Sequence, residues 1–464
     1  MRLPGFIAAL LLAARAASGF VAELGVSNAP LHWDLITLPN FVPTNNVNPA
    51  TRAIRYSLAP DTFSTTNNVG ELNAIRATFG QWQSIGGTHL KFEEGPLLAP
   101  GVHVNTDDGT NAISWAKTNT MVNDTDDIRG RLGVAFWSEI NNVIVEADIV
   151  FNAVPNSLPG GDTPTWFTDI SDTNNAGFFV DAVLGHEIGH FLGLLHSPVG
   201  GATMLSRGGS GVASTQAGLS PDEVAAARFL YPAATLTNLA TLRGTVLRDA
   251  VGVLGAIVIA EDAAGNIAAG TLSEADGQYA LPALPPGNYQ VRATPMDPNS
   301  ASYLLESAFD FGSRFFGADG NFLATTNTSI TLTAGVTNIL NFSVTAGTPP
   351  FHAGFVLQPG TLNSGDTPGV VYPGQSNLTV GILSAAVPTN GVTLSVSGDG
   401  LAVGSTAVDI ESFAHAGLKL VTASLSVAAN ATPGSRTILV TAGTNRAYAN
   451  GFLEISPLVP DYNF

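Results

Sequence analysis

Three histidines and one glutamate stand at a spacing that metal chemistry can use. The run reads His186-Glu187-Ile188-Gly189-His190-Phe191-Leu192-Gly193-Leu194-Leu195-His196. Histidines four apart on a helix project from one face, one turn above the other. Both rings can then reach a single tetrahedral Zn2+ at about 2.0–2.1 Å. A third ligand must return to the same ion, and Gly193 permits this. Glycine takes positive φ at no steric cost, so the helix can stop sharply and His196 can fold back. Three histidine ligands leave the fourth position of one catalytic zinc open for water. Glu187, next to the first ligand, is set to take a proton from that water and hand it to a leaving amine. The competing account is a buried amphipathic helix packed by Val180, Val183, Leu184 and Leu192. It leaves the three histidines and the glutamate unexplained.

Several elements must hold that run. A helix is expected over about 177–192, with two more around it. Asn68-x-x-Glu71 reads as a capping box. Val69, Leu72, Ile75, Phe79 and Trp82 then recur at spacings of three and four as one apolar stripe. Ser220-Pro221-Asp222-Glu223 starts a third helix, with Pro at the first helical position, and Pro232 ends it. Short alternating runs at 113–115, 132–137 and 143–151 read as strands.

Residues 20–232 hold all five tryptophans and six of the eight histidines of the 464-residue chain. A small-residue linker, 233–241, ends the helical signal. From 242 to 346, and again from 350 to 464 after Gly347-Thr348-Pro349-Pro350, short β-branched runs alternate with turns. The expected fold is therefore multidomain: an α+β catalytic domain, a twisted sheet with three helices, followed by two all-β sandwich domains. Fifty glycines and 28 prolines suit that many turns. A net charge of −18 leaves no basic stripe for nucleic acid. The lack of cysteine excludes disulfides, thiolate metal sites and cysteine nucleophiles. Residues 1–19 read as an export signal: Arg2, an apolar run over 3–14, then Ala14-Arg15-Ala16 for cleavage. No stretch is long and apolar enough for a membrane span, so the mature protein is expected to be secreted and soluble.

At this point the residues resemble a family. The zinc run is that of a metzincin. Ser197 after the third histidine, and Met204 at the position of the Met-turn methionine, make it similar to bacterial matrixin-like proteins. Thr78-Phe79-Gly80-Gln81-Trp82, Asp108 through Trp115, Glu146 through Asn152, and Leu219 through Val224 with Leu230-Tyr231 extend the likeness over about 30–232. The resemblance implies a zinc metalloendopeptidase acting on protein or peptide substrates laid along an edge strand near 132–137. Leu205-Ser206 stand where matrixins usually carry tyrosine and proline, which alters the pocket wall. No histidine lies between His103 and His186, so a second, structural zinc is not expected. The oxygen-rich loops 105–111 and 123–127 are candidate Ca2+ loops.

Residues 242–346 resemble prealbumin-like, carboxypeptidase regulatory-like modules through Gly244-Thr245-Val246, Asp276-Gly277-Gln278-Tyr279 and Leu284 through Tyr289. Residues 350–464 look like an Ig-like module. Both read equally as spacers and as units that bind a surface or polymer. Without cysteine there is no thiolate latch, so activity is expected without proteolytic activation; the stretch 20–28, with Glu23, is the alternative shield. An extracellular binding or adhesive protein with an inactive protease-like domain is the rival reading. It would be marked by a lost ligand or glutamate, and all four residues are present.

Overall fold

Five short runs in the first third of the chain pair into one sheet: β1 (Ile54–Leu58), β2 (Phe92–Glu94), β3 (Ala112–Ala116), β4 (Gly133–Ile140) and β5 (Val143–Asn152). The structure is a computed structural model describing residues 20–25, 27–101, 108–123, 126–171, 175–211, 218–233, 237–296, 311–363, 367–409 and 417–456. The export signal at 1–19 and parts of both candidate calcium loops (105–107 and 124–125) lie outside the described residues. The strand order is β2-β1-β3-β5-β4, parallel except that β4 runs antiparallel to β5. Asn141 and Asn142, both at positive φ, make the tight β4–β5 link. No further strand pairs with β4 among the described residues, so β4 is the sheet edge. Nine of the ten β5 residues are buried, with Ile149 and Phe151 in the main core and Val150 in a smaller core with Val122 and Ile128. A strand covered on both faces loses the polar alternation that normally marks it.

Three helices follow the expected order: α1 (Asn68–Gln83), α2 (Val180–Phe191) and α3 (Pro221–Leu230). Two details of α1 differ from the sequence reading. Asn68 is the first helical residue, not the cap; its side chain donates to Pro60 O and Thr62 Oγ1, while Glu71 accepts from Ser64 N–H. Val69 is 70% exposed, so the buried stripe is Leu72, Ile75, Phe79 and Trp82. It packs with Leu184, Ile188 and Phe191 of α2 in the main core. At α3 the cap is as read: Ser220 accepts from Asp222 N–H, with Pro221 following.

The end of α2 is closed completely. A helix leaves its last four carbonyls without partners. Here Gly193 N–H donates to His190 O and Leu194 N–H to Gly189 O, both at 2.9 Å, with Gly193 at φ +94°. That is a Schellman turn. Trp33 Nε1 donates to Phe191 O (2.9 Å) and the Tyr231 hydroxyl to Leu192 O (2.7 Å). The stretch 20–24 adds to this closure and does not cover a cleft. Leu195 N–H donates to Val21 O, Glu23 N–H to Gly193 O, and Phe20 packs edge-on against Phe229. Glu23 lies near the Arg314 and Glu139 charges, so the alternative in which it shields the metal site is not supported by its position.

From residue 240 on, most strands among the described residues form facing sheets; Phe322–Leu323 and Thr345–Ala346 pair separately. Ile267–Leu272, Ile257–Glu261, Gly287–Thr294 and Thr328–Leu332 face Gln278–Leu284, Ala240–Arg248 and Thr337–Ile339 across a core of Leu242, Val258, Leu281 and Val291. A second pair places Leu378–Ala385 and Leu418–Val427 against Asn445–Ile455 and Gly434–Ala442 around Ile382, Val421, Val440 and Phe452. The two pairs are joined through a buried arginine. Arg292 forms an ion pair with Glu261 (2.9 Å) and donates to Asn450 Oδ1 and Thr437 Oγ1 at 2.8 and 2.6 Å.

At Gly193 an added Cβ would land on Leu31 O. Gly193→Ala is therefore expected to cost about 1–3 kcal/mol, from a left-handed backbone and a steric clash together. Equilibrium denaturation measures it, and an unchanged midpoint would remove the turn from its role.

Candidate metal centre

The closed end of α2 decides where the histidines point. His186 and His190 sit one turn apart on the helix, and the Schellman turn brings His196 back beside them. Ring centroids are 4.8 Å apart for His186 and His190, 5.2 Å for His186 and His196, and 5.0 Å for His190 and His196. Ligand atoms from the three lie within 4.8 Å of one another. Among the described residues this is the cluster of histidine and acidic side chains able to hold a metal ion.

Backbone carbonyls set the tautomers. His186 Nδ1–H donates to Thr203 O at 2.9 Å, and His190 Nδ1–H to Leu194 O at 2.7 Å. A carbonyl oxygen only accepts, so each Nδ1 carries the proton and each Nε2 keeps a free lone pair. Those two Nε2 atoms face each other at 3.1 Å. Burial pushes the His186 imidazole down to about 3 and His190 well below its ordinary range, with the neighbouring rings adding to the effect. Neutral imidazoles with converging lone pairs are the donor set of a three-histidine site with one position left open.

Glu187 lies on the adjacent face of α2, toward β4. Its carboxylate accepts from Ala135 N–H, and burial pushes its pKa up to about 8, with the Arg131 charge pulling the other way. A Cβ at position 133 would stand 2.9 Å from Glu187 Cγ, so Gly133 is what lets the glutamate reach the strand. Histidines and glutamate open onto a cavity of about 660 Å³, also lined by Val134, Trp137, Leu158, Phe178 and Leu205.

Met204 is buried and packs on Gly189, between the two helical histidines. Its carbonyl accepts from Ser197 N–H at 2.7 Å. Glu223, at the start of α3, accepts from Thr203 and Met204 N–H groups at 3.1 and 3.0 Å. The predicted set His186, Glu187, His190, His196 and Met204 thus comes together in one place. Thr203 and Leu194, which orient the rings through main-chain oxygens, had no side-chain signal to reveal them. Gly133 and Ala135 were covered only as part of an edge strand. The acidic pair Asp222-Glu223 was read as a helix start, and its burial was missed.

Two histidines of α2 and a third returned by its closing turn stand beside the antiparallel edge of a mostly parallel sheet. Residues 48–232 match the family described as Matrixin, and residues 241–345 the one described as carboxypeptidase regulatory-like domain. Residues 48–232 are thus similar to matrixins, a zinc-dependent metzincin family, and the segment after them to a regulatory-like module. No curated protein matches the chain. Solved structures similar to part of it include the major pilin subunit of Bacillus cereus, at 10% identity, 47% of this chain, 69% of that chain and a TM-score of 0.17. Another contains the N-terminal eight Ig domains of Down syndrome cell adhesion molecule, at 10% identity, 47% of this chain, 24% of that chain and a TM-score of 0.16. Scores this low add nothing to the fold described above.

A Cβ at position 189 would fall on the Met204 sulfur. Gly189→Ala should therefore cost about 1–3 kcal/mol by overpacking. Differential scanning calorimetry reads this, and an unchanged Tm would mean that Met204 does not seat against the helix.

Proposed function

We propose that this protein is an exported zinc-dependent endopeptidase. The observation that carries the reading is the convergence of three imidazole side chains beside a buried glutamate at an open sheet edge. His186, His190 and His196 would hold the ion. Zinc at such a site supplies a Lewis acid that polarises a carbonyl and lowers the pKa of water. Glu187 takes the proton of the attacking water and delivers it to the nitrogen of the breaking amide, so the amine leaves neutral. A peptide lies extended along the free edge of β4, its main chain pairing with that strand and its side chains reaching the cavity walls. Leu205 contributes to that wall.

Export is inferred from residues 1–19, where an apolar run precedes the small residues of Ala14-Arg15-Ala16. Among the described residues no helix is long and apolar enough to cross a membrane.

The experiment combines metal content with cleavage of casein and a short peptide, with and without chelator. Cleavage that chelation abolishes and Zn2+ restores is expected; zinc bound without cleavage would favour an inactive, binding protein. Glu187→Gln should keep its zinc and lose about 10²–10⁴-fold in turnover, because the carboxylate handles protons and is not a ligand. His196→Ala should instead lose zinc affinity. Equal metal occupancy in that variant and the parent would remove the third ligand from the reading.

A further inference from the structure

The segment 197–205 runs from the third histidine to the cavity wall, and both sheet pairs enclose it. On one side Val199 and Ala202 share a buried core with Ile257, Ile259, Ile267 and Leu272. On the other, Gly200 N–H donates to Asn450 O at 2.8 Å, and Leu205 is buried with Val371, Phe452 and Leu453. The glycines at 200 and 201 are there because there is no room: a Cβ on the first would meet the Phe452 ring, and on the second Ser435 Oγ. Asn450 is also the residue that Arg292 grips from the other sheet pair.

A further tie runs through α3. Asp222 is fully buried; one carboxylate oxygen accepts from Ser197 Oγ at 2.6 Å, the other from Gly270 N–H at 2.9 Å. A buried carboxyl spanning the residue after the third histidine and a strand some seventy positions later is costly unless both partners stay in place.

The enclosed segment is also part of the site. Thr203 O orients the His186 ring, Met204 seats on Gly189, and Leu205 walls the cavity. We propose that the β-rich region after residue 240 is a positioning element of the active site. It holds 197–205, and with it the His186 ring and the Leu205 wall, in register with the cleft. Gly201 and Asp222 are positioning residues in this scheme. The sequence left spacer and binding unit level for these modules; in this scheme the sheets also back the cleft. The kinetic consequence rests on the peptidase reading; the mechanical one does not.

The test uses the full chain. Gly201→Ala sets a methyl onto Ser435 Oγ and 2.7 Å from its Cβ, and Ser435→Gly removes both atoms. Hydrogen–deuterium exchange over 197–206, zinc stoichiometry, and kcat and KM on a peptide too short to reach the sheets are measured for the parent, both single variants and the double variant. Gly201→Ala should speed exchange in that segment and lower kcat/KM by up to roughly 10²-fold, as small misplacements do, with zinc retained. The double variant should recover both. Failure of Gly201→Ala to fold, with recovery in the double variant, supports the same coupling. Parent-like exchange and kcat/KM in Gly201→Ala would overturn the proposal, and so would a defect that Ser435→Gly leaves unrepaired. A parent that cleaves nothing would sink the peptidase reading, while the exchange arm would still decide whether the sheets hold the segment.

Discussion

Every ring in the metal centre needs its outer nitrogen tied down so that its inner nitrogen can face the others. Two of those ties are backbone carbonyls, Thr203 O for His186 and Leu194 O for His190. A carbonyl cannot be placed by choosing a side chain; it is placed by the path of the main chain. Leu194 O is where it is because the Schellman turn at Gly193 fixes the exit from α2, with Trp33 and Tyr231 occupying the remaining carbonyls. Thr203 O is where it is because Glu223 receives the N–H groups of Thr203 and Met204. The constraint therefore passes outward from two imidazoles to both ends of the domain, from the N-terminal stretch to the last helix.

The acidic pair at the start of α3 shows the cost of that arrangement. Acidic residues in a first helical turn ordinarily sit in water and complement the helix dipole for a few tenths to about 1 kcal/mol. Asp222 and Glu223 are buried instead, and desolvation raises both carboxyl groups, with the Glu223 charge adding to the rise at Asp222. Such groups are retained only where their hydrogen bonds are worth more than hydration. Glu223 spends its oxygens inside the domain, on Thr203, Met204 and Ser220; Asp222 divides its pair between Ser197 and Gly270. The second division extends the domain's hydrogen-bonding beyond residue 232.

The chemistry was legible because it is local. Eleven consecutive residues specify the helix face, the turn and the third ligand, and the Ser220-Pro221 start of α3 is equally self-contained. The parts that were misread depend on distant partners. Asn68 looks like a cap until Pro60 and Thr62 take its amide. Val69 fits the helical period but lies at the margin of the stripe, where nothing covers it. Gly200-Gly201 drew no reading from the sequence, and only Phe452 and Ser435, more than 230 positions away, explain why neither carries a side chain. Alternating β-branched runs and turns signal strands in the later modules, yet no pattern within a module can report which neighbour it packs against.

The edge strand joins these levels. A free edge is a standing invitation to unwanted pairing, and proteins usually blunt it. In an antiparallel strand the main-chain groups alternate between the partner and the outside. Ala135 N–H goes to the Glu187 carboxylate, so it is one of the outward groups of β4. The glutamate therefore occupies one rung of the edge and leaves the rungs to either side of it open. On the peptidase reading, an extended chain that pairs with those rungs is held beside the very carboxylate that must handle its protons. Gly133, the neighbouring outward position, has no side chain because Glu187 already fills that space. Edge pairing and proton transfer are then set by one stretch of backbone, and a one-residue shift of β4 would keep an open edge but take Ala135 N–H and the Gly133 clearance away from Glu187.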